Sequence, residues 1–433
     1  MLVLVDDLGW GDLSCYGQTR FETPELDRMA AEGLRFEQFY AGATVCAPSR
    51  SALMTGQHTG HTRIRGNRRQ DLLPEDVTLA EVLRDAGYRT AMFGKWGLGT
   101  EDGTGHPVRQ GFEEFYGYLS QRHAHNYYPT FLIDGEGRAA LPNVVPNEDK
   151  DGAGKASVRE VYSHDAIVDR SLEWLGERDG SEPFFLCLTW TLPHANNEAG
   201  REGMEVPDFG GEVDPEWPAP EQGFVGMVRR MDRDLGRLRE QLSAQGLADN
   251  TLLIFTSDNG PHSEGGHKAD YFDSNGPFSG LKRDLTEGGI RVPCLAVWPG
   301  HTPAGETTAT TGAFWDFLPT FAALAEAEAD DAHWDGRSLV PALEGRSEAP
   351  EAAPDLYWAF YERGAARALL HQRRWKIVHQ PLKSEPRLYD LAEDPAERND
   401  LAAEHPELLA ELIRRMDSAD VPGEGWVLPI PGR

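Results

Sequence analysis

The strongest constraint on the fold is a series of short, unbroken apolar or β-branched segments separated by amphipathic stretches. Hydrophobicity is continuous within each segment, as expected for strands that are buried on both faces. We predict such strands at residues 2–5, 90–93, 184–190, 251–256 and 294–298, and helices at 25–32, 49–55, 78–86, 163–178 and 223–245. This alternation predicts an α/β fold in which a large, mostly parallel sheet is sandwiched by helices.

The composition changes near residues 325–331 and 349–354, where alanine, proline and acidic residues accumulate. We therefore predict two domains, residues 1–345 and residues 346–433. The second is expected to be a small α+β subdomain with an antiparallel sheet, with strands near 356–361, 366–371 and 375–379 and a helix near 404–416. Stretches rich in glycine, proline and acidic residues at 142–155 and 201–222 are predicted surface loops.

Charge and hydropathy exclude two classes of protein. The chain has 42 Lys and Arg against 71 Asp and Glu, for a net charge of −29, which argues against nonspecific nucleic-acid binding. We also expect no membrane span, because no stretch approaches the roughly 18 consecutive apolar residues that one needs. The first residues lack the pattern of a signal peptide. This leaves two locations open: cytoplasmic, or periplasmic or secreted if a signal is missing from this sequence.

Chemically useful side chains follow most of the predicted strands. Asp6 and Asp7 come after the first, Lys95 after the second, His194 after the third, and Asp258 and Asn259 after the fourth. The carboxyl ends of parallel strands meet at one edge of a sheet, which is where ligands bind in open α/β folds. Acidic and amide oxygens from two strand ends predict a site for Ca²⁺, or for Mg²⁺. The alternative is that these residues are helix caps or turn residues.

The segment 46–56, which reads CAPSRSALMTG, is the second focus. Pro48 and Ser49 are typical of a helix start, so Cys46 is expected just before a helix N-terminus, where backbone N–H groups favour an anion. The simpler interpretation of an isolated cysteine is a small buried apolar residue.

The CAPSR sequence at residues 46–50, with the Thr55-Gly56 pair, resembles the signature of the type I sulfatases, members of the alkaline-phosphatase-like superfamily. The resemblance continues in family order through further motifs along nearly the whole chain. These are Gly94-Lys95-Trp96, Pro193-His194, Ser257-Asp258-Asn259-Gly260, Gly280-Leu281-Lys282, residues 287–293, Leu388-Tyr389-Asp390-Leu391 and Asp394-Pro395.

The resemblance implies a role for each matching residue. Cys46 would be oxidised by a maturation enzyme to formylglycine, whose hydrated aldehyde is the nucleophile. Asp6, Asp7, Asp258 and Asn259 would hold the cation. Arg50 would hold the hydrated aldehyde and the metal-site carboxylates, and Lys95 and Lys282 would clamp the sulfate. His194 would bind the sulfate ester and protonate the leaving oxygen.

One position departs from the family pattern. The family usually has a histidine two residues after the strand-end lysine, but this chain has Gly97. His123 and His125 are candidates to fill that space or to bind substrate, although each could equally be a surface or capping residue. Arg65, with other polar residues after the signature helix, is a candidate for the substrate entrance; the alternative is a solvated loop. The other residues of that group are His58, His61, Arg63 and Asn67.

The sequence therefore predicts a sulfuric ester hydrolase that acts on a sulfated carbohydrate or an aryl sulfate. Long polar loops and the aromatic residues Trp10, Tyr127 and Tyr128, which could stack on sugar rings, favour a carbohydrate. Two alternatives stay open: a phosphomonoester or phosphonate hydrolase on the same scaffold, and a catalytically impaired protein that binds sulfated glycans. The expected partners are the sulfated substrate and the maturation enzyme.

Overall fold

The computed structural model describes residues 1–346 and 353–430. Its strands are β1 (Leu2–Val5), β2 (Leu34–Phe36), β3 (Phe39–Tyr40), β4 (Arg89–Lys95), β5 (Glu114–Tyr118), β6 (Phe131–Asp134), β7 (Gly137–Ala140), β8 (Phe184–Thr189), β9 (Leu253–Ser257), β10 (Cys294–Val297), β11 (Glu306–Thr308), β12 (Gly312–Ala313), β13 (Leu356–Phe360), β14 (Ala366–His371), β15 (Trp375–His379) and β16 (Arg387–Asp390). Its α-helices are α1 (Pro24–Glu32), α2 (Cys46–Thr55), α3 (Leu79–Asp85), α4 (Ser163–Gly176), α5 (Ala219–Ala244), α6 (Ala269–Phe272), α7 (Glu287–Ile290), α8 (Phe317–Leu324), α9 (Val340–Leu343) and α10 (Pro406–Ala419).

Ten strands form one large sheet in the order β11-β2-β10-β9-β1-β8-β4-β5-β6-β7. The five central strands β9, β1, β8, β4 and β5 run parallel to one another. Strand β10 joins β9 antiparallel, and β6 and β7 continue the other edge antiparallel. The prediction of a large, mostly parallel sheet is confirmed. The antiparallel direction of β10 was not visible in its sequence, because an apolar run reads the same in either direction.

The two faces of β1 show how the sheet is covered. Val3 and Val5 pack in a cluster with residues of α1, α4 and α5, whereas Leu2 and Leu4 pack in a second cluster with residues of α2, α3 and α8. Both faces are therefore apolar and covered by helices, which explains the unbroken apolar runs. No helix in the described part of the chain is both long and apolar enough to cross a membrane.

The signature helix begins earlier than the sequence indicated. Helix α2 starts at Cys46 itself, three residues before the predicted start at residue 49. Every residue of α2 is buried, so the helix lacks the polar face that usually marks helix limits in a sequence. Cys46 therefore lies in the first turn of the helix, at its positive end.

The C-terminal part contains the predicted small antiparallel sheet and helix. Strands β13 to β16 are consecutive neighbours, and β16 is a fourth strand that we did not predict. Leu412 and Met416 of α10 pack against Leu369 and Ile377 of this sheet. The segment 349–354, in which we placed the second change of composition, lies largely outside the described residues, so the division at 345/346 stays a prediction.

A buried charge cluster fastens the small sheet to the large domain. Lys376 of β15 donates to Glu287 Oε1 at 2.7 Å and lies 3.0 Å from Glu397. Tyr40 and Arg291 donate to the other Glu287 oxygen at 2.9 and 3.1 Å. The side chains of Lys376, Glu287 and Glu397 are shielded from solvent. Charges buried in this way are tolerated because each carboxylate has a cation or a hydrogen-bond donor.

We expect Lys376→Ala to lower the free energy of unfolding by about 3–5 kcal/mol, because it leaves Glu397 buried without a cation and removes one partner of Glu287. Urea unfolding would measure the loss. Lys383→Ala, at an exposed lysine of the same subdomain, is the control and should change stability by less than about 0.5 kcal/mol. Equal stability of the two variants would show that the cluster does not hold the subdomain in place.

Candidate active site

The side chains at the strand ends converge in one buried site, as the topology predicted. Asp6 and Asp7 follow β1, His194 follows β8, and Lys95 is the last residue of β4. Each of these residues is at most 2% exposed. Potential ligand atoms of Asp6, Asp7, Cys46 and His194 lie within 4.8 Å of one another. The carboxyl edge of the sheet and the N-terminus of α2 thus meet at a single point.

Cys46 lies at that point as a protonated thiol. Its Sγ donates to Asp6 Oδ1 at 3.3 Å. Burial, and after it the Asp6 carboxylate, raise the pKa of the Cys46 thiol well above its usual value. The neighbouring N–H of Ala47 donates to Asn67 Oδ1 at 3.0 Å, which satisfies one free amide of the helix terminus. The thiolate form is therefore strongly disfavoured here.

Arg50, one helical turn after Cys46, connects three elements. Its Nε and Nη2 donate to Asp258 Oδ2 at 3.1 and 2.8 Å. Its Nη1 donates to the backbone carbonyl of Lys95 at 2.5 Å. A planar guanidinium suits this arrangement because its donors are fixed in a fork. Arg50 therefore holds α2 against the ends of β4 and β9.

Two buried lysines neutralise the carboxylates of β1. Lys95 Nζ donates to Asp6 Oδ2 at 2.5 Å, and Lys282 Nζ donates to Asp7 Oδ2 at 2.7 Å. Burial by itself lowers the pKa of each lysine, but Asp6 raises that of Lys95 and Asp7 raises that of Lys282 above the usual range. Burial likewise raises the pKa of Asp6, yet Lys95 and further cations hold it well below its usual value. Both lysines therefore stay protonated, and Asp6 stays ionised.

His194 faces Lys282 with an unprotonated nitrogen. Its Nδ1 lies 2.7 Å from the carbonyl oxygen of Ala195, which assigns the ring proton to Nδ1. Lys282 Nζ donates to His194 Nε2 at 3.1 Å. Burial, followed by the charge of Lys282, lowers the pKa of His194 well below its usual value. His194 is thus a neutral hydrogen-bond acceptor in this arrangement.

The predicted metal ligands fit a hard cation. Asn259 Nδ2 donates to Asp7 Oδ1 at 2.7 Å and to the Gly260 carbonyl at 2.8 Å. Its Oδ1 is buried and has no hydrogen-bond partner among the described residues. Burial and the Asp6 carboxylate raise the pKa of Asp258 to about 7, so an additional positive charge would stabilise its ionised form. The unpaired amide oxygen and the crowded carboxylates match the oxygen set that Ca²⁺ or Mg²⁺ takes.

The structure separates the two candidate histidines. The His125 ring stacks on His194 with centroids 4.7 Å apart and planes at 14°, and its Nδ1 lies 3.0 Å from Glu198 Oε2. The His123 ring instead packs against Tyr118 and Phe131, at centroid distances of 4.9 and 4.5 Å.

Arg65, the third candidate for substrate binding, lies under the C-terminal subdomain. It is 2% exposed and donates to the Thr62 carbonyl, the Tyr361 hydroxyl and the Val421 carbonyl, at 2.7, 3.0 and 2.7 Å. These contacts hold the 60s loop against the subdomain.

The sequence did not predict two acidic residues that hold side chains of the site in place. Glu264 accepts from Lys282 at 3.1 Å and pairs with Arg283 at 2.7 Å. Glu198 holds His125. Both acids lie in the connections that follow β8 and β9, outside any strand-end motif, so no local pattern marked them. Only in the folded chain do the two acids come next to His125 and Lys282.

Comparisons with known proteins agree with this geometry. The family model described as Sulfatase matches residues 1–327, and one described as N-sulphoglucosamine sulphohydrolase, C-terminal, matches residues 278–420. The chain is 33% identical over 393 residues to N-acetylgalactosamine-6-sulfatase of Sus scrofa, covering 84% of this chain and 68% of that protein. It is 32% identical over 465 residues to arylsulfatase A of Homo sapiens, covering 95% and 85%.

Solved structures have the same architecture. The crystal structure of Ps i-CgsB in complex with k-i-k-neocarrahexaose superimposes with a TM-score of 0.81 at 25% identity, covering 97% of this chain and 92% of the other. A phosphonate monoester hydrolase of Agrobacterium radiobacter shares the fold with a TM-score of 0.61 at 22% identity, covering 96% and 95%. With the Sulfatase family pattern matching more than half of its length and the strand-end site assembled around Cys46, the chain belongs to the sulfatase family and is an enzyme that hydrolyses sulfate esters.

Proposed function

We propose that the chain removes sulfate from a sulfated carbohydrate, with a formylglycine derived from Cys46 as the nucleophilic residue. The observation that carries this proposal is the protonated Cys46 thiol, buried 3.3 Å from the Asp6 carboxylate. An unmodified thiol with a raised pKa is a poor nucleophile. The hydrated aldehyde of formylglycine supplies an oxygen nucleophile and a second hydroxyl for release of the sulfate. The family motif at residues 46–50 supports the same conversion.

We infer that Asp6, Asp7, Asp258 and Asn259 hold a divalent cation. When bound, the cation lowers the pKa of the attacking hydroxyl and neutralises charge on the sulfate oxygens. The unpaired Oδ1 of Asn259 and the raised pKa of Asp258 support a cation next to these residues. Ca²⁺ suits a buried set of protein oxygens better than Mg²⁺, which usually keeps several water ligands.

The two buried lysines are the natural partners of the sulfate group. Each ammonium keeps its charge against burial through one carboxylate, Lys95 through Asp6 and Lys282 through Asp7. A sulfate that enters beside Cys46 would accept hydrogen bonds from donors already held in place, and fixed donors stabilise charge on the transferred group. Arg50 stays in its fork with Asp258 and keeps α2 in position.

We infer that Lys282 and His194 together stabilise the leaving oxygen. His194 alone has no proton on Nε2, because its Nδ1 proton is directed at the Ala195 carbonyl. Lys282 is the neighbouring proton donor, 3.1 Å from Nε2. Lys282 keeps its proton, because its pKa is raised and that of His194 is lowered, so the pair offers the leaving oxygen a hydrogen bond from the ammonium while His194 Nε2 orients it.

The carbohydrate class of substrate is supported by relatives. The pig relative is named for N-acetylgalactosamine 6-sulfate, and the solved structure with a TM-score of 0.81 contains a neocarrahexaose. Human arylsulfatase A is comparably similar in sequence, so an aryl sulfate is a suitable assay substrate. The phosphonate hydrolase shares the fold alone and brings no residue-level support for phosphate chemistry.

Protein produced with a formylglycine-generating enzyme should hydrolyse 4-nitrophenyl sulfate and members of a panel of sulfated hexoses and hexosamines. Mass spectrometry of the peptide that spans Cys46 should show the aldehyde, and activity should scale with its occupancy. Cys46→Ala should remove turnover while the thermal unfolding midpoint stays close to that of the parent. Full activity with an unmodified thiol, or faster turnover of 4-nitrophenyl phosphate, would contradict the proposal. Binding of sulfated sugars without turnover would favour the impaired glycan-binding alternative.

Removal of divalent cations by chelation should reduce turnover, and added Ca²⁺ should restore it. Asn259→Leu removes the unpaired Oδ1 and should weaken the Ca²⁺ affinity measured by calorimetry. Asn250→Leu, at a distant asparagine in the connection that leads into β9, is the matched control and should keep the affinity of the parent. A metal-free sample with undiminished activity would refute the cation site.

His125→Ala should lower kcat, because its ring stacks on His194 beside the reacting groups. A lost general base or acid typically costs about 10²- to 10⁴-fold in rate, whereas a lost substrate contact mainly raises KM. His123→Ala is the comparison: its ring packs against two aromatic side chains and lines the cavity beside Gly97, so we expect a lower unfolding midpoint and a raised KM, with kcat within about threefold of the parent. Parent-like kinetics of the His125 variant would remove this residue from the reaction.

A further inference from the structure

The carboxamide of Gln121 occupies the space that a side chain at position 97 would need. Gly97 has a φ of 82°, in the left-handed region that favours glycine. A β-carbon at this position would overlap Gln121 Nε2 and lie 2.7 Å from Gln121 Cδ. Gly97 stands two residues after Lys95, where the family usually has a histidine. Gln121 therefore replaces that side chain from the segment that follows the neighbouring strand.

The sheet fixes this replacement. The N–H of Trp96 donates to the Tyr118 carbonyl at 2.8 Å, and the N–H of Gly97 donates to the Leu119 carbonyl at 3.1 Å. These bonds extend the parallel pairing of β4 and β5 past the ends of both strands. Gln121 follows Leu119 by two residues, so its side chain reaches the neighbouring strand end without a flexible connection.

Both polar atoms of the Gln121 carboxamide are buried and have no hydrogen-bond partner among the described residues. Exchanging the oxygen and nitrogen of the amide would still leave both atoms without a hydrogen-bond partner. A carboxamide offers two N–H donors and one oxygen acceptor, and buried polar groups in native proteins are nearly always paired. The missing partners must therefore supply an acceptor for Nε2 and a donor for Oε1.

Gln121 and Gly97 line a cavity of about 390 Å³, a size typical of small-molecule sites. Asn67 lines the same cavity, and its Oδ1 accepts the N–H of Ala47, the residue next to Cys46. The cavity therefore borders the first turn of α2 through Asn67 and the end of β4 through Gly97.

We propose that the Gln121 carboxamide hydrogen-bonds a hydroxyl group that neighbours the sulfate ester, and so selects sugar sulfates over aryl sulfates. Sulfate oxygens in the ester only accept hydrogen bonds, so sulfate would leave Gln121 Oε1 unpaired. A sugar hydroxyl both donates and accepts, so it can pair with either amide atom, and two adjacent hydroxyls can pair with both. A plain aryl ring does neither. The proposal rests on the proposed sulfatase function and adds the group that recognises the substrate.

The test compares two substrates in the Gln121→Met variant, which keeps the length of the side chain and removes its polar atoms. For the panel sugar with the highest kcat/KM, we expect kcat/KM to fall about 10- to 100-fold, as for a lost buried hydrogen bond. For 4-nitrophenyl sulfate, kcat/KM should change less than about threefold. Gln57→Met is the control, because Gln57 is also half-buried but donates to the His333 carbonyl, outside the cavity.

A second variant moves the Gln121 carboxamide without changing residue 121 itself. In Gly97→Ala the new methyl group displaces the carboxamide, so the same loss of sugar selectivity is expected with Gln121 intact. Gly87→Ala controls for backbone strain, because Gly87 has a φ of 88° and no atom lies within 4 Å of the position that its β-carbon would take. It should cost similar stability and keep the substrate preference of the parent.

Binding decides the question independently of turnover. In a Cys46→Ala background, calorimetry with the same sulfated sugar should show a Kd raised about 10- to 100-fold by Gln121→Met. An unchanged Kd and kcat/KM for the sugar, or equal losses for sugar and aryl sulfate, would overturn the proposal. So would a panel in which the aryl sulfate is hydrolysed and no sugar is. A formylglycine-containing protein that hydrolyses no sulfate ester at all would instead contradict the proposed function, while the binding experiment would still report on Gln121.

Discussion

The site depends on a balance of buried charge. Three carboxylates, Asp6, Asp7 and Asp258, lie with three cations, Arg50, Lys95 and Lys282, at the carboxyl edge of the sheet. Burying an ion costs free energy of desolvation unless the ion is paired and hydrogen-bonded. If one partner of a buried pair is removed, the other remains as an uncompensated buried charge. The pairs span three strands, helix α2 and the loop after α6, so the charge balance also fixes the relative positions of these elements.

The same rule explains how the small C-terminal sheet is attached. Lys376 lies on β15, whereas Glu287 belongs to α7 of the large domain, and their contact is shielded from solvent. Glu287 lies five residues after Lys282, so the segment that carries Lys282 is also the segment that the subdomain holds. The attachment therefore bears on the position of Lys282.

Position 97 shows how a family site can be rebuilt from another part of the chain. A glycine there would leave an empty space beside Lys95, and the carboxamide of Gln121 fills it. An amide is neutral at all relevant pH values, whereas a histidine titrates near neutrality. The corner beside Lys95 therefore offers hydrogen bonds and no base, and the imidazoles near the site among the described residues include His194, the stacked His125 and His262.

Much of this protein could be predicted from its sequence, because strands buried on both faces have continuous apolar runs and the residues that end them are local in sequence. That is why the limits of β1, β14 and β15, the positions of Asp6 and Asp258 at the sheet edge, and the family itself were all within reach. The role of each site residue was carried by resemblance and stays a proposal. Tertiary structure alone decided the direction of β10, the stacking of His125 on His194, the burial of Arg65 under the subdomain, and the pairing of Gly97 with Gln121. Each of these depends on contacts between segments far apart in the chain or on different strands, and the pattern of a single segment does not encode which distant side chain will fill the space next to it.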